Sequence, residues 1–586
     1  MRRSAVVVVL AVGLLCAVPT ACVAAGAVTN DRHAAQSGTT PLADPGLADS
    51  RFEGPTAIGA STAAEGAGIV AVYPNPVTDG DRGEFVRVAI PQGSNLSAFE
   101  LADGEGSVRL SPPARDETNA TGSTFVASRA PNRTLTFSTD PGLTGWLTDG
   151  PIAGLSGSVQ LANSGERLRL LHAGEVIDSV QYESAPEGEL YRPRTGEWEP
   201  LGATDRPVVT GGPGTVEAFV LPDGSDRAVE FLDTATERVL LAGYTVSSRE
   251  VVGSLTAAVE RGVDVAVLAD GSPVGGMTGN MATALSTLDR AGAEVRVLAG
   301  ERARYRYHHA KYAVVDDRAL VTTENWKPAG TGGNSSRGWG VITGQRRVVE
   351  GLVDTYRADT TWADAVPWDS HDPALVEGSR STGEYPQSFD PRTVSVEQTR
   401  LLVTPDNAGG NIRETIENAD SSLDIKQVSI GDRSFRLLRT VLDAAARGVE
   451  VRILLSGAWY VAEDNRRLAA WLRDQAQVAN LPLSVRLADS GDAFEKIHAK
   501  GMIVDGERTL VGSINWNANS VENNREVALL LEGESAARYF GEVFEADWQG
   551  HRDGSGHGWD VPLGLGLAVV AGAVAAILGL KRVRFE

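Results

Sequence analysis

His498-Ala499-Lys500 with Asp505, running on to Leu510-Val511-Gly512-Ser513-Ile514-Asn515-Trp516, is the second appearance of one pattern in this chain. The first is His309-Ala310-Lys311 with Asp316, then Leu320-Val321-Thr322-Thr323-Glu324-Asn325-Trp326, about 190 residues earlier. The whole sequence of 586 residues holds 8 His and six Lys, against 48 Arg. Two of each scarce type fall into the repeated frame. A lone His-x-Lys is ordinary, but two copies in matching context are not.

Residues two apart share one face of a strand. His309 and Lys311 are therefore expected on one face, as are His498 and Lys500. The residues that follow, Tyr312-Ala313-Val314-Val315 and Gly501-Met502-Ile503-Val504, read as buried strands. An imidazole beside an ammonium suits an anion site. Lysine supplies a point charge for phosphate, and histidine attacks or gives up a proton near neutral pH.

The repetition extends outside the motif. Ala258-Val259-Glu260-Arg261-Gly262-Val263-Asp264-Val265 matches Ala445-Ala446-Arg447-Gly448-Val449-Glu450-Val451 in kind. Each is a helix end, a glycine turn and a strand. Two repeats in register predict two similar α/β halves about a pseudo-two-fold axis, with both His-Lys pairs at one cleft.

These motifs resemble those of the phospholipase D superfamily, whose members carry two HxKxxxxD segments each followed by G-S-x-N. The second copy fits with His498, Lys500, Asp505, Gly512, Ser513 and Asn515. The first has Thr322-Thr323 where Gly-Ser is expected before Asn325, and its turn is one residue shorter. The resemblance covers about residues 211–550. It implies that one His attacks phosphorus to form a phosphohistidine and the other protonates the leaving alcohol. It places His309, His498, Lys311, Lys500, Asp316, Asp505 and Glu526 in the catalytic set. Lys311, Lys500, Asn325, Asn515, Ser513 and Thr323 become phosphate-binding residues. Neither metal nor cofactor is implied. In the resemblance an acid about 28 positions after the motif His bonds that imidazole. Glu526 stands there for His498, and Gly333-Asn334-Ser335-Ser336-Arg337-Gly338 offers no equivalent for His309. On that reading His498 is the general acid and His309 the nucleophile.

The ends read as targeting segments. Arg2-Arg3 and the apolar run from Ala5 to Val18 suggest a signal peptide over 1–27, and both cysteines, Cys16 and Cys22, lie inside it. Val561 to Leu580 carries no charge and is followed by Lys581-Arg582-Val583-Arg584. That predicts a stalk at 551–560, a transmembrane helix at 561–580 and a cytoplasmic tail at 581–586. The expected location is a single-pass cell-membrane protein with its body outside.

Between the ends, 28–66 reads as a flexible linker. Short alternating runs over 67–184 predict an all-β sandwich. Tyr73-Pro74-Asn75-Pro76, Gly83-Glu84-Phe85-Val86 and Val176-Ile177-Asp178-Ser179-Val180-Gln181-Tyr182 resemble the lamin tail domain, an immunoglobulin-like fold. Linkers are expected at 185–210 and 373–398, framing repeats at 211–372 and 399–550. Asn95, Asn119 and Asn132 head glycosylation sequons.

The net charge of −22 and the scarcity of lysine are typical of proteins working in high salt, and they weigh against a nucleic-acid partner without excluding one. Three readings follow. The first is a phospholipid phosphodiesterase or head-group transferase, with the membrane as partner through its C-terminal helix. The second is an extracellular nuclease, in which Arg302, Arg304 and Arg306 alternate with Ala303, Tyr305 and Tyr307 to contact a strand. The third is a catalytically decayed surface binding protein. One chain holds both motifs, so a monomer suffices for a complete site.

Overall fold

Seven strands recur in the same order in two separate sheets of the computed structural model, which describes residues 66–78, 80–112, 132–155, 159–378, 381–488 and 491–550. In the first half the order is Glu294–Leu298, Asp264–Asp270, Arg238–Gly243, Tyr312–Val315, Arg318–Thr322, Ser336–Thr343, Gly214–Leu221. In the second it is Leu483–Ala488, Glu450–Ser456, Ser422–Gln427, Gly501–Val504, Arg508–Gly512, Glu526–Glu532, Gln398–Thr404. The first three strands of each set run parallel and the remaining pairings are antiparallel. This is the two-half α/β arrangement that the repeats imply.

The strands beside the motifs are buried on both faces, so they are continuous apolar runs rather than alternating ones. Helices cover the outside of each sheet, over a core of their own. Helices Arg346–Thr360 and Glu534–Gln549 lie between the two sheets. Val348, Leu352 and Tyr356 from one, and Phe540, Val543 and Phe544 from the other, join residues of both sheets in one shared core. Trp339 meets Phe540 there at 4.7 Å between ring centroids. Gly501 has no side chain for a reason, since a Cβ would come within 2.2 Å of the Trp339 ring.

Backbone bonds stitch each half to the other at the motifs. His309 donates its N–H to Arg525 O at 2.9 Å, and Arg525 donates to Tyr307 O at 3.0 Å. In the mirror position His498 donates to Arg337 O at 3.0 Å, and Lys496-Ile497 pairs with Ser336-Arg337. Arg337 and Arg525 are both fully buried and each meets two carboxylates. Arg525 reaches Asp359 at 3.0 Å and Asp406 at 2.6 Å. Arg337 reaches Asp223 at 2.5 Å and Asp547 at 3.1 Å. Burying a guanidinium is tolerable only with such paired, hydrogen-bonded partners.

The N-terminal part is β-rich, with a six-stranded and a four-stranded sheet over a common core of Val72, Phe99, Phe137, Leu168 and Tyr182. Its strands continue past the expected boundary at 184, through Glu189–Arg192 and Glu197–Pro200. Within the expected linker 185–210, Val209–Gly211 begins as an edge strand of the second half's sheet. Part of the expected 373–398 linker is also strand, because Arg392–Val396 pairs with Gly214–Leu221.

The expectation of a transmembrane helix needs correction. Among the described residues no helix is long and apolar enough to cross a membrane, so neither the spanning helix nor the single-pass location is supported. The segments 1–27, 551–560, 561–580 and 581–586 lie outside the described residues. So does most of the linker at 28–66.

Candidate active site

The two motifs open onto one cleft of about 1340 Å³, lined by His309, Asn325, His498 and Asn515 together with Tyr244, Glu324, Lys327 and Lys496. Each His-x-Lys triplet sits just before its strand, as extended chain at the strand's mouth. Lys311 and Lys500 are buried beside the rings. Lys311 Nζ donates to His309 O at 2.6 Å, and Lys500 Nζ to His498 O at 2.8 Å. An ammonium has three donors; Lys500 Nζ also meets Thr323 O at 3.5 Å and the His498 ring at 3.2 Å, while Lys311 retains capacity for an incoming oxygen. The Asn325 side-chain oxygen is buried with no partner.

The acid partners are crossed between halves, which corrects the assignment of Glu526 to His498. Glu526 Oε2 lies 2.8 Å from His309 Nδ1. The stitching explains it: the His309 N–H bonds Arg525 O, so the next residue, Glu526, reaches the His309 ring. By the same geometry Gly338, which follows Arg337, stands where a carboxylate would serve His498. A carboxylate does serve it, from elsewhere. Glu324 Oε2 lies 3.0 Å from His498 Nδ1. A Cβ on Gly338 would meet Glu324 Cγ at 2.3 Å. The acid has moved from the strand 336–343 to the turn before Asn325, and the glycine leaves it room.

The two pairs differ electrically. Glu526 also receives Ser520 Oγ at 2.9 Å and Asn524 Nδ2 at 3.3 Å. Burial alone would raise its pKa, but His309, Lys311 and Ser513 outweigh burial and hold it below the usual range. Burial pushes His309 down to about 4, with Lys311 adding to the effect and Glu526 opposing it. Glu324 has no such support. Its contact with His498 is close but poorly aligned, and neither oxygen has an oriented donor. Burial raises it to about 7 against the pull of Lys500. His498 is held well below the usual range by burial, then by Lys500, Lys311, Lys327 and Lys496.

Other expected site residues lie elsewhere. Asp316 and Asp505 sit at the far ends of the motif strands, in left-handed turns with φ of 52° and 56°. Asp316 accepts from the backbone N–H groups of Thr236, Glu237 and Arg238. Asp505 accepts from those of Asp420, Ser421 and Ser422. Both pin a neighbouring strand and neither reaches the cleft. Thr323 and Ser513 are also structural, since Trp339 N–H bonds Thr323 Oγ1 at 2.9 Å and Val527 N–H bonds Ser513 Oγ at 3.0 Å. These ties hold the turns that present Asn325 and Asn515. Arg302, Arg304 and Arg306 face away from the cleft. Arg302 lies over Trp146 at 4.5 Å, Arg304 over Trp362 at 3.5 Å, and Arg306 donates to Val77 O at 3.2 Å. Two of these contacts join the catalytic part to the β-rich part.

Sequence reasoning missed Glu324, Tyr244, Lys327 and Lys496. Glu324 had a signal, a carboxylate inside a buried run where the second copy has Ile514. Tyr244 had none. Its ring stands against His309 at 4.5 Å. Among the described residues no group of acids, histidines and cysteines could hold a metal ion.

A family model described as "Cardiolipin synthase, PLD-like domain" matches residues 228–357 and 412–548. Dog mitochondrial cardiolipin hydrolase is 42% identical over 53 residues, 9% of this chain and 21% of that protein. The DISARM protein DrmC of Bacillus paralicheniformis is 27% identical over 125 residues, 21% of this chain and 49% of that protein. The chain thus spans less than half the length of these relatives. Phosphatidylserine synthase of Haemophilus influenzae superposes with a TM-score of 0.42 at 16% identity, covering 57% of this chain and 85% of that one. The two matched segments, 228–357 and 412–548, fall one in each half of the duplicated strand order, and each contains one copy of the paired motif.

Proposed function

We propose that this chain is a phosphodiesterase that works through a phosphohistidine, with phospholipid head groups as its substrates. The observation that carries the reading is the convergence on one cleft of a His and an Asn from each half, with a buried lysine two residues after each His. His309 is the nucleophile. Its Nδ1–H faces an ionised Glu526, which fixes the tautomer and leaves Nε2 with a lone pair. Nε2 attacks phosphorus, and the bond from phosphorus to the leaving alcohol oxygen breaks. The Glu324–His498 pair supplies one proton to that oxygen. His498 then takes a proton from water as the water attacks phosphorus and the P–N bond breaks. The products are a phosphomonoester and an alcohol. A second alcohol in place of water gives head-group exchange. Lys311, Lys500, Asn325 and Asn515 balance the charge on the non-bridging oxygens.

The substrate class rests on the likeness to cardiolipin synthase and cardiolipin hydrolase. A nuclease is the alternative, and its motivating arginines are engaged away from the cleft. The β-rich part is read as a lamin-tail-like spacer or binding module; no catalytic set is assigned to it.

The test is turnover in high salt of phosphatidylglycerol micelles, single-stranded DNA and bis(p-nitrophenyl) phosphate by the wild type and by His309→Ala, His498→Ala and Lys500→Ala. Lipid turnover lost in all three variants is the expected result. DNA cleavage alone, lost in the same variants, would replace lipid by nucleic acid. No turnover of any of the three would leave only the decayed binding protein.

A further inference from the structure

Two cations in the cleft have no task in the chemistry above. Lys327 follows Asn325-Trp326 in the first half, and Lys496 precedes Ile497-His498 in the second. They come from different halves, yet both line the cavity that holds His498 and Asn515. With Lys311 and Lys500 they make four of the chain's six lysines. Among the described residues one arginine, Arg249, lines that cavity, so its positive charge is mainly lysine, a compact and mobile charge.

Neither Lys327 nor Lys496 has a carboxylate within ion-pair distance among the described residues. The nearby acids are otherwise placed. Glu324 faces His498, and Glu495 accepts from Ser335 Oγ at 2.6 Å. The nearest aromatic ring is Tyr460, 5.8 Å from Lys496 Nζ. Burial, then repulsion from Lys496, depresses Lys327 below the usual lysine range. Glu324 draws on both lysines, but burial raises that acid to about 7 and it also faces His498, so the pair keeps an excess of positive charge that an anion offsets.

The placement is one-sided. The positions matching Lys327 and Lys496 in the other half are Asn517 and Tyr307, which carry no charge at neutral pH. A single scissile phosphate already meets Lys311 and Lys500. The extra pair therefore answers a second anion, on the His498 side only.

We propose that Lys327 and Lys496 form a second anion subsite beside His498 that takes a second phosphate carried by the same substrate molecule. This rests on the phosphodiesterase reading of the site. Since His498 protonates the leaving oxygen, the second phosphate belongs to the leaving alcohol. The substrate class is a phosphodiester whose leaving alcohol is itself phosphorylated, as in a lipid with two phosphates bridged by glycerol.

The test compares substrates with two phosphates and with one. Cardiolipin and phosphatidylglycerol in mixed micelles give kcat/KM, and bis(p-nitrophenyl) phosphate reports the chemistry alone. Glycerol 1,3-bisphosphate and glycerol 1-phosphate give binding by calorimetry without any micelle. The wild type is expected to prefer cardiolipin, and to bind the bisphosphate, by about tenfold, the size of one charge-assisted contact. In Lys327→Gln/Lys496→Gln both ratios fall to within about twofold, chiefly through KM and Kd. Lys327→Arg/Lys496→Arg restores most of the preference. A nucleotide pair, thymidine 3′,5′-bisphosphate against thymidine 5′-phosphate, identifies the source. A dependence confined to that pair keeps the second phosphate and removes the lipid. Ratios unchanged in the Gln variant, with bis(p-nitrophenyl) phosphate still turned over, overturn the subsite. Failure of the wild type on bis(p-nitrophenyl) phosphate strikes the parent reading and takes the subsite with it.

Discussion

Around His309 the acid stands on a strand, receives Ser520 and Asn524 besides the imidazole, and stays ionised. Around His498 the acid stands in a turn, lacks any aligned donor, and is raised by burial to about 7. The seven strands behind the two sites share one order, and the His, Lys and Asn residues occupy matching places. The origin of the carboxylate differs. A symmetric scaffold thus fixes where groups stand, and one displaced acid separates a site without a proton from a site that holds one. That separation suits a reaction needing a nucleophile and an acid at the same moment.

The strongest challenge to this contrast is removal of each imidazole. His309→Ala and His498→Ala are each expected to lower lipid turnover by about 10⁴-fold. With bis(p-nitrophenyl) phosphate the leaving group needs no acid, so His498→Ala retains a burst of p-nitrophenol and His309→Ala does not. A burst in His309→Ala alone would exchange the roles. The buried arginines test the symmetric side of the comparison. Arg337→Met and Arg525→Met each take the guanidinium from two buried carboxylates, and each is expected to cost about 3–5 kcal/mol in denaturant unfolding. A large difference between them would mean that the two hubs are not equivalent.

The displaced acid gives the next effect. Glu526→Gln and Glu324→Ala should each lower kcat about 100-fold. Adding Gly338→Glu to Glu324→Ala should recover activity to within about tenfold of wild type. No recovery would deny that the two positions serve the same ring. The pH profile sharpens the contrast further. His309 must lose its proton, so kcat/KM rises with pH through about 4. The Glu324–His498 pair must keep one proton, so activity falls as pH rises above about 7. Each limb changes activity about tenfold per pH unit. Glu324→Gln should abolish the limb near 7 and leave the other. The smallest effect is predicted at the motif aspartates, where Asp316→Asn should cost about 1 kcal/mol of stability and leave kcat within about threefold.

The sequence made the halves legible because their motifs and their helix-glycine-strand segments repeat in register. The histidines, lysines and Asn325 and Asn515 were legible for the same reason. The acid pairing was not, since a spacing of 28 residues gives a position along one half, while the bond crosses to the other. The structural role of Asp316 and Asp505 was hidden because a motif residue at a strand's far end looks no different in sequence from one at its mouth. Lys327 and Lys496 were visible as rare residues, but only folding brings the two halves' lysines to one wall. The arginine-tyrosine alternation at 302–307 misled, because a strand's periodicity does not say what it packs against.

The backbone stitching has a consequence for synthesis. His309 N–H finds its partner at Arg525 O, 216 residues further along the chain. A nascent chain that has released only its first half has built a sheet and a histidine with neither acid nor docking strand. The site closes after the last sheet strand has left the ribosome. A product truncated before Glu526 therefore carries both histidines and no working centre, and premature turnover during translation is ruled out by chain order alone.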